Sequence, residues 1–195
     1  MGVFETLIGI LTKPDKTLEN EKKASFGSAV VYGLILLLIY FIINTIILIV
    51  SPSMSSKSSD VIKLALGISM PAGASVILIS LLTLVLFVII ALLAGLWLHV
   101  VIKLFSGKGS LGQTYKSIIY SATPISFLSW IPLVSIVAGV WSLYLQVLGL
   151  RKFHEVKSGT ASAIIIAYII SLYILMIIFA SIFVKPIDTS FLMAQ

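Results

Sequence analysis

Cysteine is absent from the 195-residue chain, and histidine occurs only as His99 and His154. Without cysteine there can be no disulfide bond, thiolate nucleophile or cysteine-rich metal site. A hydrolase or transferase needs a nucleophile with a base, or a metal. We therefore expect no enzymatic activity, no cofactor and no metal. A metal site built from His99, His154 and Glu155 is an open alternative, which metal analysis of the purified protein would test.

Charge is scarce, because only 10% of the residues are charged and 59% are hydrophobic, with a mean hydropathy of +1.19. Soluble domains usually have about 45–50% apolar residues. The charges fall in the gaps between long uncharged stretches, three of which are of membrane-spanning length. A helix needs about 20 mostly apolar residues to cross a hydrocarbon core of about 30 Å, and its backbone must satisfy its own hydrogen bonds there. The pattern predicts an all-α, polytopic transmembrane helix bundle.

Five spans are predicted within a membrane domain that covers residues 26–185, followed by a short external tail at residues 186–195. The third span is short and has Pro124 in its middle, where the missing backbone donor should kink the helix. If the third and fourth spans formed a re-entrant hairpin instead, three spans would remain. The predicted spans cover approximately residues 26–50, 74–102, 117–130, 132–150 and 161–184.

Residues 1–25 are predicted to be a cytoplasmic, amphipathic N-terminal segment. Its first helix is too short to cross a membrane, so we expect it to lie in the interface. Packing against the end of the bundle is the alternative. The apolar face of this helix comprises Val3, Phe4, Leu7, Ile8 and Leu11, and the opposite face comprises Glu5, Thr6 and Thr12.

Basic residues are distributed unevenly between the two sides of the predicted membrane domain. Ten of the 13 lysines and arginines lie in the N-terminal segment, after span two or after span four. By the positive-inside rule the N-terminus is cytoplasmic and the C-terminus external. The basic residues sit in short loops beside apolar spans, which indicates contact with lipid headgroups rather than with nucleic acid. The short loops favour a prokaryotic plasma membrane.

Small residues recur on two of the predicted spans at a spacing of four, as Ser25, Ala29 and Gly33 and as Ala91 and Gly95. Such stripes allow a neighbouring helix to approach closely. The spans contain no ionisable residue near their middle. Ion-coupled transporters usually keep one there, so this class of function is disfavoured.

Four segments carry a family likeness: LFSGKGSLGQT at residues 104–114, IYSATP at residues 119–124, the proline-bearing residues 11–18, and LGLRKFH at residues 148–154. Together they resemble the Yip-domain family, the Ypt/Rab-interacting membrane proteins. The likeness covers most of the chain. The candidate functional positions within or near these segments are Pro14, Gly107, Gly109, Gln113, Thr114, Tyr120 and Pro124.

The resemblance implies five spans, a cytoplasmic N-terminus and a luminal or external C-terminus. Eukaryotic members act in vesicle traffic, bind small Rab-type GTPases and associate with one another. Those proteins have a long cytoplasmic N-terminal region, whereas about 25 residues precede the first predicted span here. The chain therefore looks more like the compact prokaryotic members, and a small GTPase is an open alternative as a partner.

Two functions remain in competition at this point. The first is a non-enzymatic membrane scaffold that works by associating with itself or with other membrane proteins, with membrane lipids as further partners. The second is a transporter or channel for a small neutral or lipid-like solute, with its pathway at the Pro124 kink, because interrupted helices often build such pathways. A water-accessible polar cavity at Pro124 would favour the second.

Overall fold

A computed structural model describes residues 2–183, except for the side chains of Pro52, Met54, Ser55, Leu66 and Phe183. Every regular element in this range is a helix. The predicted external tail at residues 186–195 lies outside it. In chain order the helices are α1 Val3–Thr12, α2 Pro14–Lys23, α3 Phe26–Val50, α4 Pro52–Leu66, α5 Ala72–Leu104, α6 Leu111–Ser121, α7 Thr123–Leu128, α8 Pro132–His154 and α9 Ser158–Phe183.

Four helices are long and apolar enough to cross a membrane, namely α3, α5, α8 and α9. The third expected span, residues 117–130, is instead divided between α6 and α7. Helix α6 begins earlier than expected because Ser110 caps it, accepting a hydrogen bond from the backbone N–H of Gln113. It ends at Ser121 because Pro124 has no N–H to continue the helical ladder. The fifth crossing is therefore not confirmed by helix length.

Helices α1 and α2 form an N-terminal hairpin that packs on α7 and α8. Thr6, which the sequence placed on the polar face of α1, is buried together with Ile10. The reason is that Thr6 faces Glu21 of α2 and donates a hydrogen bond to it. Phe4 and Ile8 remain exposed. Helix α1 thus packs against the bundle and still presents an apolar stripe outward.

Two apolar cores hold the bundle together. The first joins the N-terminal hairpin to α3, α6 and α8 around Tyr120, Leu145 and Phe153. The second joins α5, α8 and α9 around Ile102, Leu150 and Ile164. Helix α8 contributes to both cores, so it is the central element of the fold.

Helix α4 occupies much of the connection between α3 and α5, where the sequence predicted a serine-rich loop with a short helix near residues 61–68. Pro52 stands at its first position, where a missing N–H costs nothing. Gly67 ends it in the left-handed conformation, with a φ of 69°. The helix is therefore longer at its N-terminal side than the apolar pattern indicated.

The segments that carry ten of the 13 basic residues meet at one end of the bundle. Lys22 of α2 forms a 2.9 Å ion pair with Glu155, just after α8. The backbone N–H of Lys108 donates a 3.1 Å hydrogen bond to the carbonyl of His154. We call this end, formed by residues 13–25, 103–116 and 151–157, the basic end.

Candidate functional site

A buried carboxylate connects the N-terminal hairpin to α6. Glu21 is 4% exposed and accepts hydrogen bonds from the hydroxyls of Tyr120 at 2.7 Å and Thr6 at 3.0 Å. A buried carboxylate is tolerated only when it is hydrogen-bonded or paired. The bonds to Glu21 therefore tie α1, α2 and α6 to one another.

The same cluster reaches the break between α6 and α7. Thr123 donates a hydrogen bond to the carbonyl of Tyr120 at 2.8 Å, and its hydroxyl oxygen lies 2.8 Å from that of Tyr32 on α3. The rings of Tyr32 and Tyr120 lie 5.4 Å apart between centroids. Because Thr123 uses its proton on the carbonyl, Tyr32 is the donor to Thr123. The break is thus held by side-chain bonds on both sides.

Lys116 interacts electrostatically with Glu21 of this cluster and is only 3% exposed. Its ammonium donates to the carbonyl of Ala24 at 2.7 Å, just after the end of α2, and lies 5.6 Å from the centre of the Phe153 ring. Burial lowers the pKa of Lys116, and the Glu21 carboxylate opposes that shift. The lysine therefore caps the carbonyl end of α2, where positive charge is favoured.

The glycine loop at residues 107–109 packs directly on the end of α8. A side chain on Gly109 would place its Cβ 2.5 Å from the His154 Nδ1 and 2.6 Å from the Phe153 carbonyl oxygen. A side chain on Gly107 would overlap Ile102. These two positions need glycine because the backbone approaches its neighbours too closely for a Cβ. The loop is held from the other side by Lys103, whose ammonium donates to the carbonyls of both glycines.

Thr114 lies between the two histidines of the chain. Its hydroxyl is 2.7 Å from the His99 Nδ1 and 3.1 Å from the His154 Nε2, and the two rings are 6.1 Å apart. The His154 Nδ1 has no hydrogen-bond partner among the described residues. The predicted positions Gly107, Gly109 and Thr114 are therefore brought together around His154.

Glu155 does not join the two histidines in the way that a metal site would require. It pairs with Lys22, and this ion pair lowers the pKa of the exposed carboxyl. Within residues 2–183 no group of three or more histidine, aspartate or glutamate side chains could hold a metal. The His99–Thr114–His154 chain is instead a hydrogen-bonded link between α5, α6 and α8.

The remaining motif positions begin or cap helices or join them by hydrogen bonds. Pro14 is the first residue of α2, and Pro124 lies buried in the first turn of α7. Gln113 completes a capping box at the start of α6, because its side chain accepts a 2.7 Å hydrogen bond from the Ser110 N–H. Tyr120 is the donor to Glu21 described above.

The small-residue stripes are used within the chain. Gly33 of α3 faces Ile119, where a Cβ would lie 3.1 Å from the side chain, and Gly95 of α5 faces the Tyr115 ring. Both contacts are with α6. The helix that packs closely against these glycines is therefore α6 of the same molecule.

The other three stripe positions differ from one another. Ala29 is buried in the first core, and Ser25 caps α3 by accepting a 3.1 Å hydrogen bond from the Ser28 N–H. Ala91 lines the groove described next.

An apolar groove of about 760 Å³ runs between α3 and α5 on one side and α6 and α7 on the other. It starts at Phe26 and Leu111 and reaches Tyr40 and Phe87, whose stacked rings lie 6.3 Å apart. A second pocket of about 180 Å³ lies beyond this ring pair. It is lined in part by the polar side chains Asn44, Thr45, Ser80 and Thr83.

Glu21, Lys116 and Thr6 are central to the site and were not identified from the sequence. Glu21 lies in a run of charged residues that is typical of a solvated approach to a membrane. No local spacing marks it as buried. Its partners are 15 and 99 positions away, so only the packing of the hairpin reveals the cluster.

Comparison with family profiles finds the Yip1 domain over residues 8–181. This range includes the four long apolar helices except for the last residues of α9, together with every candidate motif position. No curated protein and no solved structure matches the chain. The apolar helices and the family together indicate an integral membrane protein. The resemblance noted in the sequence is confirmed, and the chain belongs to the Yip1 domain family.

Proposed function

We propose that this protein is a non-enzymatic membrane organiser that acts by associating, through its membrane helices, with a second copy of itself. Family membership and the four long apolar helices support a role inside the bilayer. The clusters at Glu21 and His154 join helices of the same chain, which fits a structural use of their polar groups. Membrane lipids are the other proposed partners.

The observation that carries this proposal is the exposure of the outer half of α9. Every side chain from residue 172 to residue 182 is exposed, which amounts to about three turns of helix. Tyr173 is 60% exposed and Ile182 is 68% exposed. The other half of α9 contrasts with it, since Ala161 and Ile164 are fully buried in the second core.

The start of α8 offers a matching surface at the same end. Leu133 and Val137 are 80% and 68% exposed. The exposed rings of Trp141 and Tyr144 lie 5.2 Å apart. Membrane helices associate by van der Waals packing and by hydrogen bonds between them. A second copy that packs on the outer halves of α8 and α9 would cover a surface that the chain's own helices leave open.

We also propose five crossings, with the basic end in the cytoplasm of a prokaryotic cell and the C-terminus outside. Helices α5 and α8 both end at the basic end, so the chain must reach the far end before α8 can begin. The positive-inside rule supports the orientation.

The experiment that tests association is a mass measurement of the purified protein in nanodiscs made with native lipid. We expect two copies per particle over a wide range of protein-to-disc ratios. Particles that contain a single copy at every ratio, in both nanodiscs and mild detergent, would overturn the proposal.

A lipid-like solute that passes along the α6–α7 break is a second candidate. The groove beside the break is apolar and is not the polar cavity that would favour a small polar solute, so only the lipid-like form of this alternative fits it. Ala122, Ile125 and Ser126 line the groove beside Pro124. The walls are apolar, which suits a lipid-like molecule better than a small polar one. Transfer of a fluorescent lipid between leaflets of liposomes that contain the protein would support this function, and a rate equal to that of protein-free liposomes would exclude it.

A further inference from the structure

The groove between α3, α5, α6 and α7 has the size of a ligand site. Its volume of about 760 Å³ lies within the range of about 300–1,000 Å³ that is usual for such sites. Two of its polar side chains are already committed to helix backbone. Tyr115 donates to the Leu92 carbonyl at 2.6 Å, and Ser126 donates to the Ala122 carbonyl at 2.9 Å. The interior therefore suits a hydrocarbon rather than a polar ligand.

The length of the groove favours a lipid acyl chain over a membrane-spanning helix as its occupant. From Phe26 to Tyr40 it follows 15 residues of α3, a rise of about 21 Å. It then stops at the stacked rings of Tyr40 and Phe87. One leaflet of the hydrocarbon core is about 15 Å deep, and a membrane-spanning helix needs about 30 Å. A lipid chain from one leaflet fits this length, whereas a spanning helix of another protein would be blocked by the rings.

The positive charge at the mouth of the groove favours a lipid with an anionic headgroup. Helix α3 begins at Phe26 and α6 begins at Leu111, both at the basic end. Lys23 lies three residues before Phe26, and Lys108 lies three residues before Leu111. Neither lysine forms an ion pair within the described part of the chain.

The four acidic groups of the hairpin are already engaged elsewhere. Glu5 accepts a 3.3 Å hydrogen bond from the Gly2 N–H at the start of α1. Asp15 and Glu19 form ion pairs with Lys152, and Glu21 is buried and accepts a hydrogen bond from the Tyr120 hydroxyl. Glu155, the carboxylate that interacts electrostatically with Lys108, is paired with Lys22. The mouth therefore keeps an excess of positive charge. Basic sites between membrane helices bind anionic lipid headgroups.

We infer that the groove binds one phospholipid with an anionic headgroup, with an acyl chain between α3 and α6 and the headgroup beside Lys23 and Lys108. This site differs from the surface proposed for association, because the outer half of α9 contributes nothing to the lining of the groove. Binding of the lipid can therefore be measured in a single copy as well as in a dimer.

The test is native mass spectrometry of the delipidated protein titrated with three lipids that share the same acyl chains. The lipids are phosphatidylglycerol, phosphatidylcholine and diacylglycerol. We expect one phosphatidylglycerol per protein copy, retained more strongly than the other two. The double variant Lys23→Gln, Lys108→Gln should lose this preference, by about fivefold for each lysine. The matched double variant Lys16→Gln, Lys157→Gln should keep it.

Two variants test the acyl half of the site from opposite walls. Ala91→Trp fills the groove from α5 and Ile125→Trp fills it from α7. If either variant is poorly folded by circular dichroism, the other still provides the test. Both should lose all three lipids, while Leu93→Trp, at an exposed position of α5 outside the groove, should bind like the parent.

Retention of phosphatidylglycerol by a folded groove-filling variant at the parent level would overturn the proposal. Equal retention of phosphatidylglycerol and phosphatidylcholine by the parent would overturn the assignment of the headgroup. The parent could instead form a dimer that carries no lipid, and the groove-filling variants could separate that dimer. In that case the occupant of the groove would be a second copy of the chain, and the proposal of a lipid site would be wrong.

Discussion

The hydroxyl of Tyr120 donates a 2.7 Å hydrogen bond to the carboxylate of Glu21, although 99 positions separate the two residues. Both are buried, at 1% and 4% exposure. The bond joins the N-terminal hairpin to α6, one turn before the break at Pro124. The hairpin is therefore an integral part of the bundle, and the stability of the bundle should depend on it.

Replacing Tyr120 with phenylalanine should destabilise the protein by about 1.5–3 kcal/mol, because a hydrogen bond to a charged group is lost and the buried carboxylate keeps only its bond from Thr6. The measurement is thermal unfolding of the purified protein in detergent. Tyr144→Phe, at an exposed tyrosine, is the control and should change stability by less than about 0.5 kcal/mol. Equal stability of the two variants would contradict the role given to Tyr120.

Replacing Gly109 with alanine should lower the unfolding temperature, since the new Cβ would meet the Phe153 carbonyl oxygen at 2.6 Å and backbone atoms would have to move. Gly139→Ala in the interior of α8 is the matched control, because no atom lies within 4 Å of the Cβ it would add. Because alanine is a better helix former than glycine, the free energy of unfolding of Gly139→Ala should exceed that of the parent by about 1 kcal/mol. A Gly109→Ala protein as stable as the control would show that the loop does not pack on α8 as described.

Lys152→Gln should have a small effect that depends on salt. The lysine pairs with Asp15 at 3.2 Å and Glu19 at 3.0 Å, and both carboxylates are more than half exposed. Exposed pairs contribute at most about 1 kcal/mol each, and salt screens them. The difference from the parent, measured by thermal unfolding, should shrink between about 0.01 M and about 1 M salt, because the screening length falls from about 30 Å to about 3 Å over that range. A loss that is unchanged by salt would mean that the lysine acts through packing.

Single cysteines can test whether α6 and α7 cross the membrane, because the chain has no cysteine of its own. Ser129→Cys lies in the turn before α8, and Lys108→Cys lies at the basic end. With five crossings, an impermeant maleimide added to intact cells should label Ser129→Cys and should label Lys108→Cys only after lysis. Labelling of both from the same side would indicate a re-entrant hairpin.

The sequence predicted the parts of the fold that depend on local composition. The long uncharged runs correspond to α3, α5, α8 and α9, and Pro124 correctly marked an interruption. The exact place of the break could not be predicted, because it also depends on the bonds that Thr123 makes to Tyr120 and Tyr32.

The contacts of the site depend on distant parts of the chain, and for that reason the sequence did not reveal them. Gly107 and Gly109 were noticed as a motif, but the His154 side chain that they pack on lies more than 40 positions away. Gly33 and Gly95 were expected at points of close approach, and nothing in their spacing identified α6 as the neighbour. Glu21 gave no signal at all, because burial of a charged side chain is a property of the folded bundle.

Cross-linking of single cysteines in native membranes is the most direct test of association through α9. A cysteine is placed in turn at Ile174, Leu175, Met176 and Ile177, which together sample every side of the exposed half-helix, and Leu86→Cys on α5 is the equally exposed control. We expect disulfide-linked dimers at one side of α9 and none at Leu86→Cys after mild oxidation. No dimer at any of the four α9 positions, or dimers in equal amounts at α9 and at Leu86→Cys, would contradict it.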